Sequence, residues 1–388
     1  MAMNRRRSVL VAHPSAELYG SDRVMLETVS ALTARGERVV VAVPSDGPLL
    51  AEARRRGAVA EIVSFPVLRK RLLSPAGLLE LAVALPAAIA RATGMIRRNR
   101  VGTVYVSTLT IPVWLLAARL SGRVAVCHVH EAEAAARPIM KRALSTPLLL
   151  ARAIATNSDF SAGVLAQPYP ALGARTTVVL NAVDGPPAST PPREALTGAV
   201  RLVYVGRLSE RKGVDLCVEA VKILADRGRD AVLEVVGDVF DGYEWFAEQL
   251  RRYVAENRLE ERVRFLGFRP SVWDELSAAD IALVPSRLDE PFGNTAVEAV
   301  LARRPVVVSE TSGLREAAAG YASAVFVRPG DAAAIAEAVE RIADDWGTFR
   351  LRAETARDEA AERHSRERYD AAILGVIDGA DPHDGGHF

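Results

Sequence analysis

The sequence predicts an α/β protein made of two doubly wound domains, each a parallel sheet covered by helices on both faces. Short β-branched runs alternate with longer amphipathic stretches over most of the 388 residues. Such alternation, with strands that are apolar throughout, is typical of parallel sheets buried on both faces. The length also favours two domains, because one domain usually contains ~100–200 residues.

The first domain is predicted over residues 1–183. Its strands are expected at Ser8–Ala12, Arg38–Val43, Ala60–Val63, Thr103–Val106, Val124–His128, Ala153–Asn157 and Thr177–Leu180. Helical stretches lie between them, notably at Ser21–Arg35 and Gly77–Arg98. In the first of these helices the apolar residues broadly keep to one face, as in an amphipathic helix.

A proline-rich break at residues 184–200, DGPPASTPPREALTGAV, has no apolar period and predicts a linker. The alternation then restarts, and the second domain is predicted over residues 201–345. Its strands are expected at Arg201–Val205, Leu233–Val236, Val263–Leu266, Ile281–Val284, Pro305–Ser309 and Ala324–Val327. Its helices are expected at Val214–Asp226, Tyr243–Asn257, Ser271–Ala278, Asn294–Ala302 and Asp331–Asp344.

Two features are expected beyond the second domain. A charged helix at about 355–378 is predicted to pack back on the first domain, and residues 380–388 are predicted to form a disordered tail. Ligands of doubly wound sheets bind beyond the carboxyl ends of the strands. If the two sheets face each other, we expect one shared cleft between the domains.

Composition excludes several classes of protein. With 49% hydrophobic and 25% charged residues, the chain is neither wholly disordered nor fibrous. Two cysteines, Cys127 and Cys217, are too few for a disulfide framework or a usual zinc site. The most apolar stretch, Ala76–Ala90, contains Glu80 and Pro86 and is shorter than the ~20 residues of a membrane span. We therefore expect a cytoplasmic protein.

Charge is distributed unevenly along the chain. The first 183 residues hold 23 Lys and Arg against 11 Asp and Glu, a net charge of +12, whereas the whole chain carries +1. Arginines cluster at residues 5–7, 54–56, 69–71 and 97–100, without interleaved aromatic residues, so nucleic acid is not an expected partner. An anionic membrane surface or a phosphorylated acceptor fits better. Solvated helix ends would explain the clusters equally well.

The strongest candidate for chemistry is PSRLDEPFGNTAVEA, over residues 285–299. A strand, a loop with a glycine turn and a helix follow one another here, and the free amides of a helix start are a natural seat for phosphate. Asn294 and Thr295 are predicted helix caps. Glu290 and Glu298 are predicted to accept hydrogen bonds from sugar and ribose hydroxyls.

The second candidate is VYVGRLSERKG, over residues 203–213, in which a strand runs directly into Gly206 and Arg207. A departing nucleotide diphosphate gains negative charge, which Arg207 and Lys212 would stabilise in place of a divalent cation. No DxD motif follows a strand, and Asp238 with Asp241 comes closest to one. We therefore expect no metal.

Two weaker signals lie in the first domain. Gly20, in AHPSAELYGSDR, would let the backbone approach a ligand closely. The absence of GxGxxG gives no indication of a nicotinamide or flavin. His130, in HVHE, would contact a sugar hydroxyl or share in proton transfer. The HExxH zinc pattern is not met, because residue 134 is Ala.

Together these motifs resemble those of family 4 of the glycosyltransferases. EPFGNTAVE resembles the family's E-x7-E motif, and GRLSERKG resembles its G-R-(x)n-K-G segment. YGSDR is similar to the Gly-Gly-x-x-R loop, with Tyr19 in place of the first glycine. ATNSDFSAGVL, VVLNAVD and FLGFRPSVWDELSAADIALVPS extend the resemblance over nearly the whole chain. It implies the GT-B fold, two facing Rossmann-like domains with an interdomain cleft, and retaining sugar transfer from a nucleotide-diphosphate donor.

The resemblance also implies residue roles. Arg207 and Lys212 would hold the diphosphate, and Glu298 the ribose. Glu290, with the amides of residues 292–294, would hold the donor sugar. The remaining expected contacts are Gly20 and Gly206 near the phosphates, Phe292, Gly293, Asn294 and Thr295 in the turn and helix start, and His130 on the sugar. The base, uridine or guanosine, is expected near residues 236–238 and 264–268.

Several alternatives stay open at this level. On the same fold, a nucleotide-sugar epimerase or a binding protein without turnover would show similar motifs. The basic first half and the apolar helix 77–98 favour a lipid-linked or membrane-surface acceptor, as in polysaccharide or glycolipid assembly, with the protein peripheral at the inner membrane face. Glycosylation of a soluble small molecule is the other acceptor hypothesis.

Overall fold

The computed structural model describes residues 7–18, 20–68, 74–132, 134–188, 190–240 and 242–380. The chain divides into two compact units. The first unit contains Met1–Ala182 with Arg366–Phe388, and the second unit contains Val183–Ser365. Each unit is built on a parallel sheet, so the prediction of two parallel-sheet α/β domains is confirmed.

The first unit follows the predicted alternation of strands and helices. Its strands are β1 (Ser8–Ala12), β2 (Arg38–Val43), β3 (Val59–Ile62), β4 (Thr103–Val106), β5 (Val124–Val129), β6 (Ala153–Thr156) and β7 (Thr176–Val178). Its helices before the second unit are α1 (Gly20–Ala34), α2 (Pro48–Arg55), α3 (Pro75–Arg98), α4 (Val113–Leu120), α5 (Pro138–Ser145), α6 (Asp159–Ala166) and α7 (Pro170–Gly173). In the described residues the strands form one parallel sheet of order β3-β2-β1-β4-β5-β6-β7.

The second unit repeats this architecture. Its strands are β8 (Val200–Val205), β9 (Ala231–Val236), β10 (Val263–Gly267), β11 (Ile281–Val284), β12 (Val306–Ser309) and β13 (Ala324–Val327). Its helices are α8 (Val214–Asp226), α9 (Glu244–Glu256), α10 (Trp273–Ala278), α11 (Asn294–Leu301), α12 (Ser312–Ala318), α13 (Ala332–Asp344) and α14 (Trp346–Arg363). The sheet order, over the residues described, is β10-β9-β8-β11-β12-β13, and α15 (Arg366–Gly379) follows α14.

Both sheets reverse their strand order at one point, between β1 and β4 in the first unit and between β8 and β11 in the second. In open α/β sheets, ligands bind beyond the carboxyl ends of the strands at such a switch point. The two predicted motifs of the second unit, at residues 206–213 and 285–294, directly follow β8 and β11. The fold therefore brings them to the same edge of one sheet.

Each face of the first sheet carries its own core. Leu10 and Ala12 of β1 belong to one cluster, with Trp114, whereas Val9 and Val11 belong to the other. This alternation follows from the strand geometry, since successive side chains point to opposite faces. Because both faces are covered, the strands are apolar throughout, and this is the pattern that made them predictable.

Helix α15 packs on the first unit. The hydroxyl of Tyr369 lies 2.6 Å from Thr28 Oγ1 in α1, and Ile373 and Ile377 are buried in the same core. The helix begins at Arg366 rather than near residue 355. Residues 355–363 instead continue α14, which packs on α11 in the second unit.

The proline-rich segment after Ala182 is held against the second unit rather than being a free tether. Arg193 Nε donates to the buried carboxylate of Asp280 at 2.8 Å. Trp346 Nε1 donates to the carbonyl of Arg193 at 2.9 Å, and Arg304 Nη2 donates to the carbonyl of Thr190 at 3.0 Å. These contacts fix the segment's path although its described residues form no helix or strand before Val200.

Helix α3 is longer than the apolar stretch that the sequence suggested. It runs unbroken through Glu80 and Pro86, and over Ala76–Arg98 it is by length and composition long enough to cross a membrane. The prediction that this stretch is too short was therefore wrong on length. One face of α3, including Ala88 and Ile96, is buried in the core of the first unit.

Some sequence predictions lie outside the described residues. They concern Tyr19, Asp241, the arginine clusters at residues 5–6 and 69–71, and the tail from residue 381 onward.

Candidate active site

Three glycines close the carboxyl edge of the second sheet around β8, β9 and β10. Gly206 N donates to the carbonyl of Val236 at 2.9 Å, and Gly237 N donates to the carbonyl of Gly267 at 2.9 Å. Gly237 has φ 136, and a Cβ there would lie 1.8 Å from the carbonyl oxygen of Gly206. Only glycine fits this close approach, so the loops after these strands form one closely packed floor.

Arg207 follows Gly206 and is held from two sides. Its carbonyl accepts a 2.7 Å hydrogen bond from the hydroxyl of the buried Tyr204. Its guanidinium carbon lies 3.2 Å from the centroid of the Phe240 ring, in the loop after β9. This is a cation–π contact, in which the face of the ring attracts the positive charge.

Lys212 ends a 3₁₀ turn over Glu210–Lys212, and Gly213 then adopts the left-handed conformation with φ 70. A Cβ on Gly213 would lie 2.1 Å from the carbonyl oxygen of Pro285, so the loops after β8 and β11 touch. Lys212 Nζ donates to Glu290 Oε2 at 2.8 Å. The two motifs that the sequence separates by 78 positions therefore meet in one ion pair.

Glu290 is buried at 7% exposure, and both of its carboxylate oxygens are hydrogen-bonded. Besides Lys212, Ser286 Oγ donates to Glu290 Oε1 at 2.9 Å. Burying a carboxylate is costly unless it is paired in this way. The pairing also fixes the orientation of the carboxylate.

The hydroxyl of Tyr204 is close enough to Arg207, after β8, and to Glu290, after β11, for both charges to influence its pKa. Its pKa is raised well above the ordinary value, first by burial, then by Cys217 and by the carboxylate of Glu290. The positive charge of Arg207 lowers it. Arg207 and Glu290 are thus near the same buried group, although they lie on different loops.

The loop after Glu290 leads into α11, whose cap differs from the prediction. Gly293 is the N-cap, without a side-chain hydrogen bond, and the predicted caps Asn294 and Thr295 lie in the first turn. A Cβ on Gly293 would lie 2.5 Å from Leu314 Cδ2 of α12, so a larger residue here would require the Leu314 side chain to shift. The amides of the first turn consequently depend on ligand, solvent or neighbouring groups rather than on a capping side chain.

The remaining predicted residues of this region have different surroundings. Phe292 is buried, and its ring lies edge-on against His364 with centroids 5.7 Å apart, so it anchors the loop by packing. Glu298 lies one turn inside α11 and is partly buried, as are Asn294 and Thr295. The predicted residues of the second unit thus gather at the switch point.

His130 lies in the first unit, immediately after β5. Its ring centroid is 4.0 Å from that of His128, whose Nδ1 lies 2.6 Å from the hydroxyl of Tyr105. The pKa of His130 is lowered to about 3, first by burial and then by His13. Its Nε2 is buried without a hydrogen-bond partner among the described residues. At neutral pH this imidazole is uncharged, so it suits hydrogen bonding better than proton donation as an imidazolium.

The sequence analysis missed a buried polar cluster at the switch point of the first sheet. His13 Nδ1 lies 2.5 Å from Ser107 Oγ, and His13 Nε2 lies 2.6 Å from Asp22 Oδ1. His13 and Ser107 are the first residues after β1 and β4, and this position was the available signal. Gly20, at the start of α1, is exposed with open space around it.

The serine and phenylalanine partners of the second-unit site were also missed. Ser286 and Phe240 follow β11 and β9, but nothing in their local sequence indicates a contact with Glu290 or Arg207. Within the part of the chain that the structure describes, no three His, Cys, Asp or Glu side chains are grouped to hold a metal ion.

Two family models match this chain. "Glycosyltransferase Family 4" matches residues 19–185, and "Glycosyl transferases group 1" matches residues 199–345. The chain belongs to the family 4 glycosyltransferases. The first match ends at residue 185 and the second begins at residue 199, so each model covers most of one parallel-sheet domain.

Several characterised glycosyltransferases are similar in sequence to part of this chain. A glycogen synthase of Mycobacterium tuberculosis is 33% identical over 186 residues, covering 47% of this chain and 44% of that protein. A 2-deoxystreptamine glucosyltransferase of Streptomyces kanamyceticus is 34% identical over 209 residues, covering 50% of this chain and 52% of that protein. The matched part therefore spans about half the length of these curated relatives.

The fold of this chain is similar to that of a solved structure. Anabaena HepE in complex with UDP-glucose superposes with a TM-score of 0.81 at 20% identity, over 96% of this chain and 99% of that one. This likeness confirms the GT-B class of fold, two parallel-sheet α/β domains.

Proposed function

We propose that this chain transfers a sugar from a UDP-sugar donor to an acceptor, with the donor seated at the switch point of the second sheet. The observation that carries the proposal is the meeting of Lys212 and Glu290 beside the start of α11, with Arg207 on the adjoining loop. Cations and helix amides at one edge suit a diphosphate. UDP is favoured over GDP because HepE binds UDP-glucose.

The proposed roles follow from charge and position. Arg207 and Lys212 stabilise the charge that grows on the diphosphate as the glycosidic bond breaks. These two cations would make a divalent metal unnecessary. Glu290, oriented by Lys212 and Ser286, accepts hydrogen bonds from the donor sugar, and Glu298 accepts them from the ribose.

The proposed mechanism retains the anomeric configuration. The bond between the anomeric carbon and the diphosphate oxygen breaks, and the acceptor oxygen bonds to the same face of that carbon. The departing phosphate oxygen takes the acceptor's proton, so no separate base is required. His130 is uncharged at neutral pH because its pKa is lowered to about 3, so the mechanism gives it no role as an imidazolium proton donor.

Changing Arg207 or Lys212 to Ala tests this proposal. If each supplies ~3 kcal/mol of charge stabilisation, turnover falls by roughly 100-fold or more. Lys222→Ala is the matched control, since Lys222 lies on the neighbouring α8 and pairs only with Asp226 among the contacts described. Near-normal turnover in the Arg207 and Lys212 variants would remove both from the mechanism. EDTA should leave activity intact, and a loss restored by Mg²⁺ would refute metal independence.

Product analysis separates transfer from the two alternative activities. A transferase releases free UDP in proportion to the acceptor consumed. An epimerase converts the donor sugar without needing an acceptor, and a binding protein shows donor binding without turnover. Either of the last two results would contradict the proposal.

For the acceptor, we favour a substrate held at a membrane surface, with the protein peripheral on its cytoplasmic face. Helix α3 presents an exposed apolar stripe, with Leu79 67% and Val83 73% exposed. Ala82, Pro86, Ala87 and Ala90 continue this stripe at helical spacing. Arg91, Arg97 and Arg98 lie exposed toward its end and complement anionic lipid.

Sedimentation with vesicles tests this location. Phosphatidylglycerol-containing vesicles should capture the protein at low salt and release it at high salt, because charge attraction is screened. Val83→Glu should weaken capture, whereas Leu351→Glu should not, since Leu351 is an exposed residue of the second unit. No capture by these vesicles would favour a soluble acceptor.

A further inference from the structure

We propose that Phe240 is the positioning residue for Arg207, an inference that rests on the proposed donor site. The aromatic ring holds the guanidinium by its flat face, 3.2 Å from the ring centroid. The N–H groups of a guanidinium lie in its plane, so stacking through the face uses none of them. In the proposed donor complex, phosphate oxygens would meet this planar edge rather than the face that lies against Phe240.

The backbone places the ring beside Arg207. Pairing of β8 with β9 continues past the ends of both strands, because Gly206 N donates to the carbonyl of Val236 and Leu208 N donates to that of Asp238. The second of these bonds measures 3.0 Å. Phe240 follows two residues after Asp238, on the same loop. The contact is therefore built by the closely packed glycine floor and not by chance proximity of two surface side chains.

Arg207 is consequently fixed at both ends. Tyr204 holds its backbone carbonyl at 2.7 Å, and Phe240 holds its guanidinium. A long arginine side chain loses rotamer freedom when it binds a ligand, and holding it beforehand reduces that loss. Lys212 is held differently, by the charge of Glu290. The two cations of the site thus have separate supports.

The exposure of the ring agrees with this role. Phe240 is 47% exposed although it is a large apolar residue. Tyr243 and Trp245 on the same segment are each 53% exposed, and their rings lie 6.4 Å apart, paired with one another. Of these three aromatic residues, Phe240 is the one whose ring stacks on the guanidinium of Arg207.

The experiment measures UDP binding by calorimetry at fixed salt. Phe240→Leu should weaken UDP binding by roughly 3–10-fold, since it removes the π face but keeps an apolar side chain. Phe240→Trp, which keeps a π face, should bind UDP nearly as the unchanged protein does. Tyr243→Leu is the matched control and should have no effect. Equal UDP binding by the Leu and Trp variants of Phe240 would overturn the inference.

A double-mutant cycle separates positioning from a merely structural role. In an Arg207→Ala background, Phe240→Leu should cause no further loss of UDP binding, because the residue it supports is gone. A loss of the same size in both backgrounds would refute the assignment. If the unchanged protein binds neither UDP nor GDP, the proposed function fails and this inference with it. If it binds UDP and Phe240→Leu binds equally well, only the inference fails.

Discussion

Gly313→Ala adds one methyl group in α12, outside the residues that we assign to the donor, and should disturb the candidate site through the loop it contacts. Gly313 is the second residue of α12, and a Cβ there would lie 2.0 Å from the carbonyl oxygen of Glu290 and 2.9 Å from Phe292 N. Cβ atoms essentially never lie within 3.0 Å of such an atom, so the distance between the new Cβ and the Glu290 carbonyl oxygen must increase from 2.0 Å to at least 3.0 Å. Both contacted atoms are backbone, which cannot rotate away as a side chain can.

The displacement falls on the loop that carries Glu290. Overpacking of this kind costs ~1–3 kcal/mol of stability. In a domain of this size that lowers Tm by roughly 2–10 °C. A misplacement of ~1 Å in a residue that orients the substrate costs ~100-fold in rate. We therefore expect kcat to fall by about two orders of magnitude, because the Lys212–Glu290–Ser286 hydrogen bonds must rearrange.

The assay is UDP release in the presence of acceptor, together with the melting temperature. Gly347→Ala is the matched control, since Gly347 is also the second residue of a helix in the second unit and a Cβ there meets nothing within 4 Å. That variant should keep its activity and melting temperature. If Gly313→Ala retained kcat within about threefold of the unchanged protein, the loop would not position a reacting group in the way argued.

Three further outcomes are expected. Tyr204→Phe removes the donor to the Arg207 carbonyl and should lower the free energy of unfolding by ~0.5–1.5 kcal/mol and weaken UDP binding, as urea titration and calorimetry would show. Gly237→Ala should abolish UDP binding, because its Cβ would meet the carbonyl oxygen of Gly206 at 1.8 Å; retained affinity would argue against a rigid floor. The pKa of His130 is lowered to about 3 in the folded protein. The unfolded chain therefore takes up the proton first, and the stability that neutral His130 contributes above pH 6.5 is lost as pH falls toward 3. Between pH 7 and pH 5 the free energy of unfolding should fall by up to about 2 kcal/mol less in His130→Gln than in the unchanged protein. Equal falls in both proteins would contradict this pKa.

Strands were predicted from sequence with good accuracy, and the reason is local. The predicted strands Ser8–Ala12 and Arg38–Val43 match β1 and β2 to the residue, because buried parallel strands are continuously apolar and β-branched. Helix α12 is absent from the prediction, since its seven residues contain barely two turns of pattern. The break between α14 and α15, at His364 and Ser365, carries no glycine or proline to mark it.

For the site, sequence reasoning found the residues but not their partners. The motifs containing Arg207, Lys212 and Glu290 were recognisable because each follows a strand. The bond between Lys212 and Glu290, by contrast, spans 78 positions and depends on two strands being neighbours in the sheet. The cap of α11 was also mispredicted, because Gly293 precedes the helix without a side-chain hydrogen bond and Asn294 and Thr295 lie in the first turn.

The return of α15 to the first unit has a consequence for biosynthesis. Tyr369, Ile373 and Ile377 complete a core whose other members, such as Met25, belong to the first 182 residues. Ribosomes add ~5–20 residues per second, so those earlier residues wait on the order of 10–40 s before their last helix emerges. During that interval an apolar face of the nascent first unit stays uncovered while the entire second unit is translated. The first unit can therefore complete its core only after the second unit has been synthesised.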